Sequence, residues 1–275
     1  MTKDYLVELL RVYWFAPPVA LWRAIELRAA AGPCQRAGRP VLDLGCGDGL
    51  IGQILFAAPG GIDIGVDPWA NQLRRAASSS AYRHLDRAQG KALPYRNRCF
   101  ATVFSNSVLE HIVDVEPVLQ EVGRVLRPEG RFIFTVPSDA FRGMLDGYAR
   151  RMAMGDSAGA RAYAASVDER LEHHHYHPPE AWQELLSRAG LKLLTTTYYM
   201  PERVERFWDR MNARYGIGQK SLWSLLVSPR LRPLGYQRLL RQLVVKHLGH
   251  RWRPYYEMDV QSGNKGGGLL VVAQR

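Results

Sequence analysis

Val41-Leu-Asp43-Leu-Gly45-Cys-Gly47-Asp48-Gly49 is the stretch whose reading decides the fold. A short apolar strand pattern ends in three glycines at alternate positions, and an apolar helical pattern, Gly49–Ala57, follows. Glycine accepts positive φ and leaves no Cβ between backbone and ligand. The helix beyond begins with free N–H groups. The spacing is G-x-G-x-G, whereas dinucleotide-binding turns use G-x-G-x-x-G. Asp43 stands directly before the turn, where a carboxylate can pair with a cationic group such as an α-amine. The plainer reading is a strand–helix turn that needs glycine only for its bend.

The next strand pattern, Ile62–Val66, ends at Asp67-Pro68. A carboxylate about 20 residues past such a turn can accept both hydroxyls of a ribose. It can equally cap the helix expected from Trp69 to Ala77. Further strand patterns fall at Ala101–Ser105, Arg131–Val136, Leu191–Tyr198 and Leu269–Ala273, with helical patterns at Val115–Leu126 and Pro178–Ala189. This alternation predicts an α/β fold, a mostly parallel sheet with helices on both faces. Upstream, helices are expected at about Lys3–Trp14 and after Pro17-Pro18, and Ala30–Pro40 reads as a linker. Ser138–His177 has no strand pattern and is expected as an insertion over the site. Pro201–Gly263 reads as a basic helical insertion before the last strand. The expected organisation is a helical cap over 1–39, a central domain over 40–200 with a lid near 138–177, a helical insertion over 201–265 and a last strand over 266–275.

Five stretches together resemble one family: Asp43-Leu-Gly45-Cys-Gly47-Asp-Gly49, Gly65-Val-Asp67, Leu93-Pro94-Tyr95, Phe104-Ser-Asn106-Ser-Val-Leu-Glu110-His111 and Arg124-Val-Leu-Arg-Pro128-Glu-Gly130. They resemble the class I methyltransferases, most of all the small-molecule group that includes ubiquinone and sugar O-methyltransferases. The resemblance covers about residues 40–137 and, more loosely, Pro178–Tyr198. It implies a Rossmann-like, seven-stranded sheet with helical N-terminal and C-terminal additions. It implies S-adenosyl-L-methionine as cofactor, held by Asp43, Gly45, Cys46, Gly47, Asp67, Pro68, Gln89, Ser105 and Asn106. Gln89 stands where the family commonly has an acid facing the adenine amine, and its amide oxygen can substitute. Ala101 stands where the family often has Asp. In the quinone relatives two acids and a histidine can hold a divalent cation. This chain has Glu110 and His111, but Ser107 stands at the first acid, so no metal is expected.

His111 is a base candidate, because imidazole titrates near neutrality. The alternative is a surface histidine satisfied by backbone. His173-His174-His175-Tyr176-His177 places four imidazoles in five residues. Metal is disfavoured there, since successive residues point in different directions and no nearby cysteine completes a set. In related methyltransferases this segment approaches the acceptor, which makes His173, His175 and His177 further candidates for the catalytic base. A solvated loop is the plainer reading.

The chain has 275 residues and a net charge of +11 from 37 basic and 26 acidic side chains. Residues 201–275 hold 14 Lys and Arg against 5 Asp and Glu, so nine of the eleven net charges fall there. Leu234, Leu239, Leu240, Leu243, Val244 and Leu248 share a helical face flanked by Arg238, Arg241 and Lys246. Such a face packs on the sheet or lies on an anionic membrane. Three cysteines without metal spacing or an even disulfide set predict a reducing cytoplasm, with any membrane contact peripheral at the inner face. No window reaches the roughly 20 apolar residues of a span. The expected function is O-methylation of a small-molecule, sugar or lipid-linked acceptor. A nucleic-acid methyltransferase is disfavoured, because Ser105-Asn106-Ser107 lacks the Asn/Asp-Pro-Pro-aromatic run and no RNA-binding module is evident. A non-catalytic S-adenosylmethionine-binding module is the third reading.

Overall fold

The structure, a computed structural model, describes residues 3–56, 60–217 and 222–275, without the side chains of Arg232 and Leu234. Ala57 of the first expected helix after the glycines and Leu234 of the expected apolar face therefore lie outside the described residues. In chain order the elements are α1 (Tyr5–Val12), α2 (Pro17–Gln35), β1 (Val41–Leu44), α3 (Leu50–Phe56), β2 (Ile62–Val66), α4 (Ala70–Ala76) and β3 (Tyr82–Asp86). Then come β4 (Phe100–Asn106), a 3₁₀ turn (Leu109–His111), α5 (Glu116–Val125), β5 (Leu126–Pro137), α6 (Phe141–Met144), α7 (Asp146–Ala153), α8 (Ser157–Leu171) and α9 (Pro179–Arg188). The chain finishes with β6 (Lys192–Pro201), α10 (Glu202–Tyr215), α11 (Leu222–Leu226), a 3₁₀ stretch (Pro229–Leu234), α12 (Gln237–Arg251), α13 (Arg253–Tyr256) and β7 (Gly266–Gln274). Two units divide these: residues 29–139, 168–197 and 268–275 form the α/β unit, and residues 1–28, 140–167 and 198–267 form a helical unit.

The seven strands lie in the order β3-β2-β1-β4-β5-β7-β6. The first five pair in parallel, and β7 runs antiparallel to β5 from Arg131↔Gln274 to Pro137↔Gly268. A Rossmann-like, mostly parallel sheet with helices on both faces is thus the fold. β1 is buried along its whole length and β4 nearly so, as central parallel strands require. Phe104, Phe132, Phe134 and Trp182 fill the core of this unit and are almost fully buried. β3 has no counterpart among the expected strands. Its sequence, Tyr-Arg-His-Leu-Asp, has no apolar run because it is an edge strand with two of its five residues exposed and none fully buried.

The expected linker Ala30–Pro40 is corrected by the structure: α2 runs through Gly32 and Pro33 to Gln35. Buried Ala30 and Cys34 hold that last stretch helical despite the proline, and Arg36 N–H closes it onto the Pro33 carbonyl. The segment 138–177 is helical for most of its length, as α6, α7 and α8.

The helical unit has its own core. Trp22 packs against Phe141, Tyr199 and Trp208, and Trp208 Nε1 donates to the Pro18 carbonyl. Buried Glu26 accepts from Tyr199 and Arg23. α12 packs on α1, with Gly249 against Val7, and uses only part of the face expected from its sequence, Leu240 and Leu248 being half-buried. Val244 is buried, whereas Leu239 and Leu243 are 59% and 55% exposed.

One buried acid stands apart. Glu205 is fully buried, and neither carboxyl oxygen has a hydrogen-bond partner. A Cβ on Gly267 would sit 1.6 Å from its Oε2, so the carboxyl group occupies space that only glycine leaves. Burial, then Asp209 and Glu202, raises its pKa well above the ordinary 4.5. The folded state therefore holds this proton after the unfolded chain has released it. Stability from this group is complete below about pH 4.5 and declines as pH rises toward the folded pKa. Glu205→Gln removes the ionisation and should flatten that decline. Urea unfolding of both proteins from pH 5 to 8 checks it: the stability difference should shift in favour of the variant with rising pH, by at most about 1.4 kcal/mol per pH unit. Parallel pH profiles would show that Glu205 does not titrate as described.

Candidate active site

Between β1 and β4 the strand order reverses, and ligands of open α/β sheets bind outside the carboxyl ends of the strands at such a point. The glycine turn after β1 and Asn106-Ser107 at the end of β4 meet there. Gly45, Gly47 and Gly49 all have positive φ, at 75°, 54° and 80°. A Cβ on Gly45 would strike the Val108 methyls at 2.5 Å, so the two loops are in contact. A Cβ on Gly47 would meet nothing within 4 Å. That open ground beside the backbone is where a ligand can approach.

Asp43 is buried at the end of β1, and its Oδ2 accepts the Tyr82 hydroxyl at 2.7 Å. Burial raises its pKa to about 7; the Tyr82 hydrogen bond opposes this and the Asp67 charge adds to it. Tyr82 is the residue that sequence reasoning missed. Cβ atoms on Gly49, Gly52 and Gly65 would lie 2.9, 2.3 and 2.7 Å from its ring or hydroxyl, so three glycines make the slot for one tyrosine. Gly52 inside a helix and Gly65 inside a strand were the available signal, because glycine at such positions marks a close approach.

Asp67, buried after β2, accepts Gly47 N–H at 3.0 Å through Oδ2 and Trp69 N–H at 2.8 Å through Oδ1. It thus closes the glycine turn and fixes the backbone just before α4, whose N-cap is Trp69 and carries no side-chain cap bond, so the expected capping role does not hold. Each carboxylate oxygen keeps a second lone pair for a ligand hydroxyl. Pro68 gives its carbonyl to Arg87 Nε. Trp69 beside it is 67% exposed, an aromatic face that the sequence reading passed over. Gln89 is exposed in the loop after β3. Cys46 is buried with Sγ toward the Gly47 carbonyl, and burial raises its thiol pKa, so it remains an unreactive thiol. Ser105 is fully buried and spends its hydroxyl on the Leu44 carbonyl, tying β4 to β1. Asn106 donates from Nδ2 to Thr135, while its Oδ1 is buried with no hydrogen-bond partner.

The histidine segment lies along the turn after β4. His174 N–H donates to the Glu110 carbonyl at 2.8 Å, and His111 Nδ1 bonds the Glu172 carbonyl at 3.0 Å. His175 Nε2 bonds the Ile112 carbonyl. His177 stacks on His175 and meets Trp182 edge-on. Burial, then the His175 charge, lowers its pKa. His175 and His177 thus anchor the segment. His111 and His173 converge with buried Glu110, one ligand atom of each lying within 4.8 Å of the others. His173 Nδ1 lies 3.0 Å from the Tyr176 hydroxyl, which donates to Asp168 at 2.5 Å. Because that hydroxyl proton goes to Asp168, His173 donates to the Tyr176 oxygen from Nδ1. The carbonyl at His111 Nδ1 fixes the same tautomer there. The trio brings two imidazoles and a carboxylate together, residue types able to take a proton or to ligate a cation.

Residues 42–134 match the methyltransferase domain family. The methyltransferase GfsG of Streptomyces halstedii is 31% identical over 167 residues, which span 58% of this chain and 55% of that protein. The mitochondrial ubiquinone biosynthesis O-methyltransferase of Bos taurus is 29% identical over 36% of this chain and 29% of its own length. The chain thus spans about half, or less, of the curated relatives it matches. A sarcosine dimethylglycine methyltransferase structure from Galdieria sulphuraria superposes over 93% of this chain and 86% of its own, with TM-score 0.54 at 16% identity. A geranyl diphosphate methyltransferase structure does so over 90% and 76%, with TM-score 0.53 at 16% identity. These two show the fold.

Over residues 42–134, fold, glycine turn and family match together support a class I S-adenosylmethionine-dependent methyltransferase domain. The residues present fit that cofactor on three points: open space at Gly47, the buried Asp67 carboxylate and the unsatisfied Asn106 Oδ1. Asp67→Ala should weaken S-adenosylmethionine binding by about 1–3 kcal/mol, the cost of leaving polar groups unpaired. Gly47→Ala should weaken it too, with only about 1–2 kcal/mol lost from stability through backbone strain. Isothermal calorimetry beside thermal unfolding measures both. Unchanged affinity in the Asp67 variant would remove its ribose role.

Proposed function

We propose that this chain methylates a hydroxyl group of a small-molecule acceptor, with His173 as the base that takes the hydroxyl proton. The observation that carries this reading is the chain His173–Tyr176–Asp168 beside Glu110 and His111, at the carboxyl end of β4. S-adenosylmethionine, when bound, supplies an electrophilic methyl group on a sulfonium centre. Asp67 and the Gly47 backbone hold it by the ribose side, Trp69 offers a face to the adenine, and Asp43 sits under the turn for the cationic α-amine. Catalysis then rests mainly on positioning. The His173 Nε2 lone pair accepts the acceptor proton. The imidazolium that forms is steadied by Glu110 directly and by Asp168 through the Tyr176 hydroxyl.

Acceptor screening with labelled cofactor comes first, and its success separates an enzyme from a non-catalytic binding module. His173→Asn should then lower kcat by about 10²–10⁴-fold with cofactor affinity intact. Tyr176→Phe should give a smaller loss and shift the acidic limb of the pH–rate profile. Full activity in both His173→Asn and His111→Asn would place the base elsewhere. A second reading is favoured by the same trio: a divalent cation on Glu110, His111 and His173 that binds the acceptor oxygen. Activity lost to a chelator and restored by a divalent ion supports that form, whereas indifference to chelator supports the base.

Lipid-linked presentation of the acceptor is the narrower form of this proposal. It is supported by exposed Leu239 and Leu243 on the same helix as exposed Arg238, Arg241 and Lys246. Among the described residues no helix is long and apolar enough to cross a membrane, so contact would be peripheral. Sedimentation with anionic vesicles should recover the protein at low salt and lose it at high salt, each basic residue contributing about 1 kcal/mol. Equal behaviour with neutral and anionic vesicles would return the acceptor to the aqueous pool.

A further inference from the structure

The helical unit contains a cavity of about 800 Å³ that the chemistry above does not use. That volume lies within the roughly 300–1,000 Å³ of small-molecule sites. One wall is a single face of α10: Phe207, Met211 and Tyr215 recur at every fourth residue. The opposite wall comes from α12 through Val244 and Leu248, and Trp223 and Trp252 complete the lining. The aromatic walls are braced. Phe207 stacks on Tyr255 with centroids 4.0 Å apart and meets Trp252 edge-on, and Trp223 Nε1 donates to the Phe15 carbonyl at 2.8 Å. Methionine on such a wall adapts to flexible apolar chains.

The mouth has a different character. Leu243, His247 and Arg251 are shared with an adjoining hollow of about 1020 Å³, to which Lys246, His250 and Arg253 also contribute. Among the described residues no acidic side chain lines either hollow. Arg253 is committed to Asp4 and Glu257. Among the described residues, Lys246 and Arg251 form no ion pair. Part of this charge answers the carboxyl end of α12, where basic side chains are favourable. Lys246 lies more than a turn earlier and has no such duty. The helix end would repel an anion on its axis, so a head group is read by side chains on the helix flank. Leu222 and Leu225 of α11 are 74% and 64% exposed, and with Leu243 they leave much apolar surface in contact with water.

We infer that this cavity binds a single-chain amphiphile, its apolar chain between α10 and α12 and its phosphate-type anionic head on Lys246 and Arg251. The inference goes beyond methyl transfer and holds whether or not that reading does. Dodecyl phosphate, below its micelle concentration, is the probe, titrated into the whole chain and read by tryptophan fluorescence, since Trp223 and Trp252 line the cavity. Saturable binding is expected, at least tenfold tighter than for dodecanol, with no saturable response to inorganic phosphate at the same concentrations. Lys246→Glu combined with Arg251→Glu should weaken dodecyl phosphate at least tenfold and leave dodecanol unchanged. Both side chains are surface residues, so an unchanged melting temperature and unchanged S-adenosylmethionine binding are expected alongside. Equal affinity for dodecanol, an equal response to inorganic phosphate, indifference to the charge reversal, or a response only to phosphatidylglycerol vesicles would each overturn the inference. The last would leave surface contact with a bilayer in its place.

Discussion

Asp43 is a carboxyl group at the end of a central strand, buried on every side, and the cofactor turn is built around keeping it there. A lone carboxylate at such a place is costly, and it adjusts by holding its proton more tightly and by taking a hydrogen bond. Tyr82 supplies that bond from the neighbouring edge of the sheet. Its ring fits only because Gly49, Gly52 and Gly65 have no side chains. Asp67 then fastens the turn from the other side through Gly47 N–H. Turn, edge strand and second acid are one mechanical assembly, and the open ground at Gly47 is what it leaves for a ligand.

The two ends of β4 have opposite tasks. Thr102, near its start, ties the strand to the Gly38 carbonyl, and Ser105 ties it to β1. Asn106 and the turn beyond face the site. Ser105 and Asn106 are adjacent, yet one hydroxyl is consumed by the sheet while one amide oxygen is left buried and unsatisfied. Alternation along a strand produces this division, since successive side chains leave on opposite faces.

The histidines show where a linear reading stops. His173 to His177 appear as one cluster in sequence, but the chain distributes them among three jobs. His175 and His177 fix the segment against Ile112 and Trp182. His174 projects to solvent. His173 joins Glu110 and His111, more than 60 residues earlier in the chain. The pairing depends on the backbone bond from His174 to Glu110, which no spacing rule foretells. The helical unit gives the same lesson in apolar terms. The periodic face on α12 was legible, but α1 takes the Gly249 side of that helix, and while Val244 is buried Leu239 and Leu243 stay in water.

The sequence by itself determined the central strands, the glycine turn, the two acids that follow β1 and β2, and hence the cofactor class. Those features are local: an apolar run, a residue free of Cβ and a carboxylate at a strand end each carry their physical meaning within a few positions. Only the tertiary structure decided that Tyr-Arg-His-Leu-Asp is a strand, because an edge strand needs a neighbour more than it needs apolar residues. It alone decided that Tyr82 reaches Asp43, that Glu205 lies against Gly267, and that His173 belongs with Glu110. Each of those depends on two distant segments meeting within a few ångströms, and the energy of such a meeting is a property of the pair that neither segment carries alone.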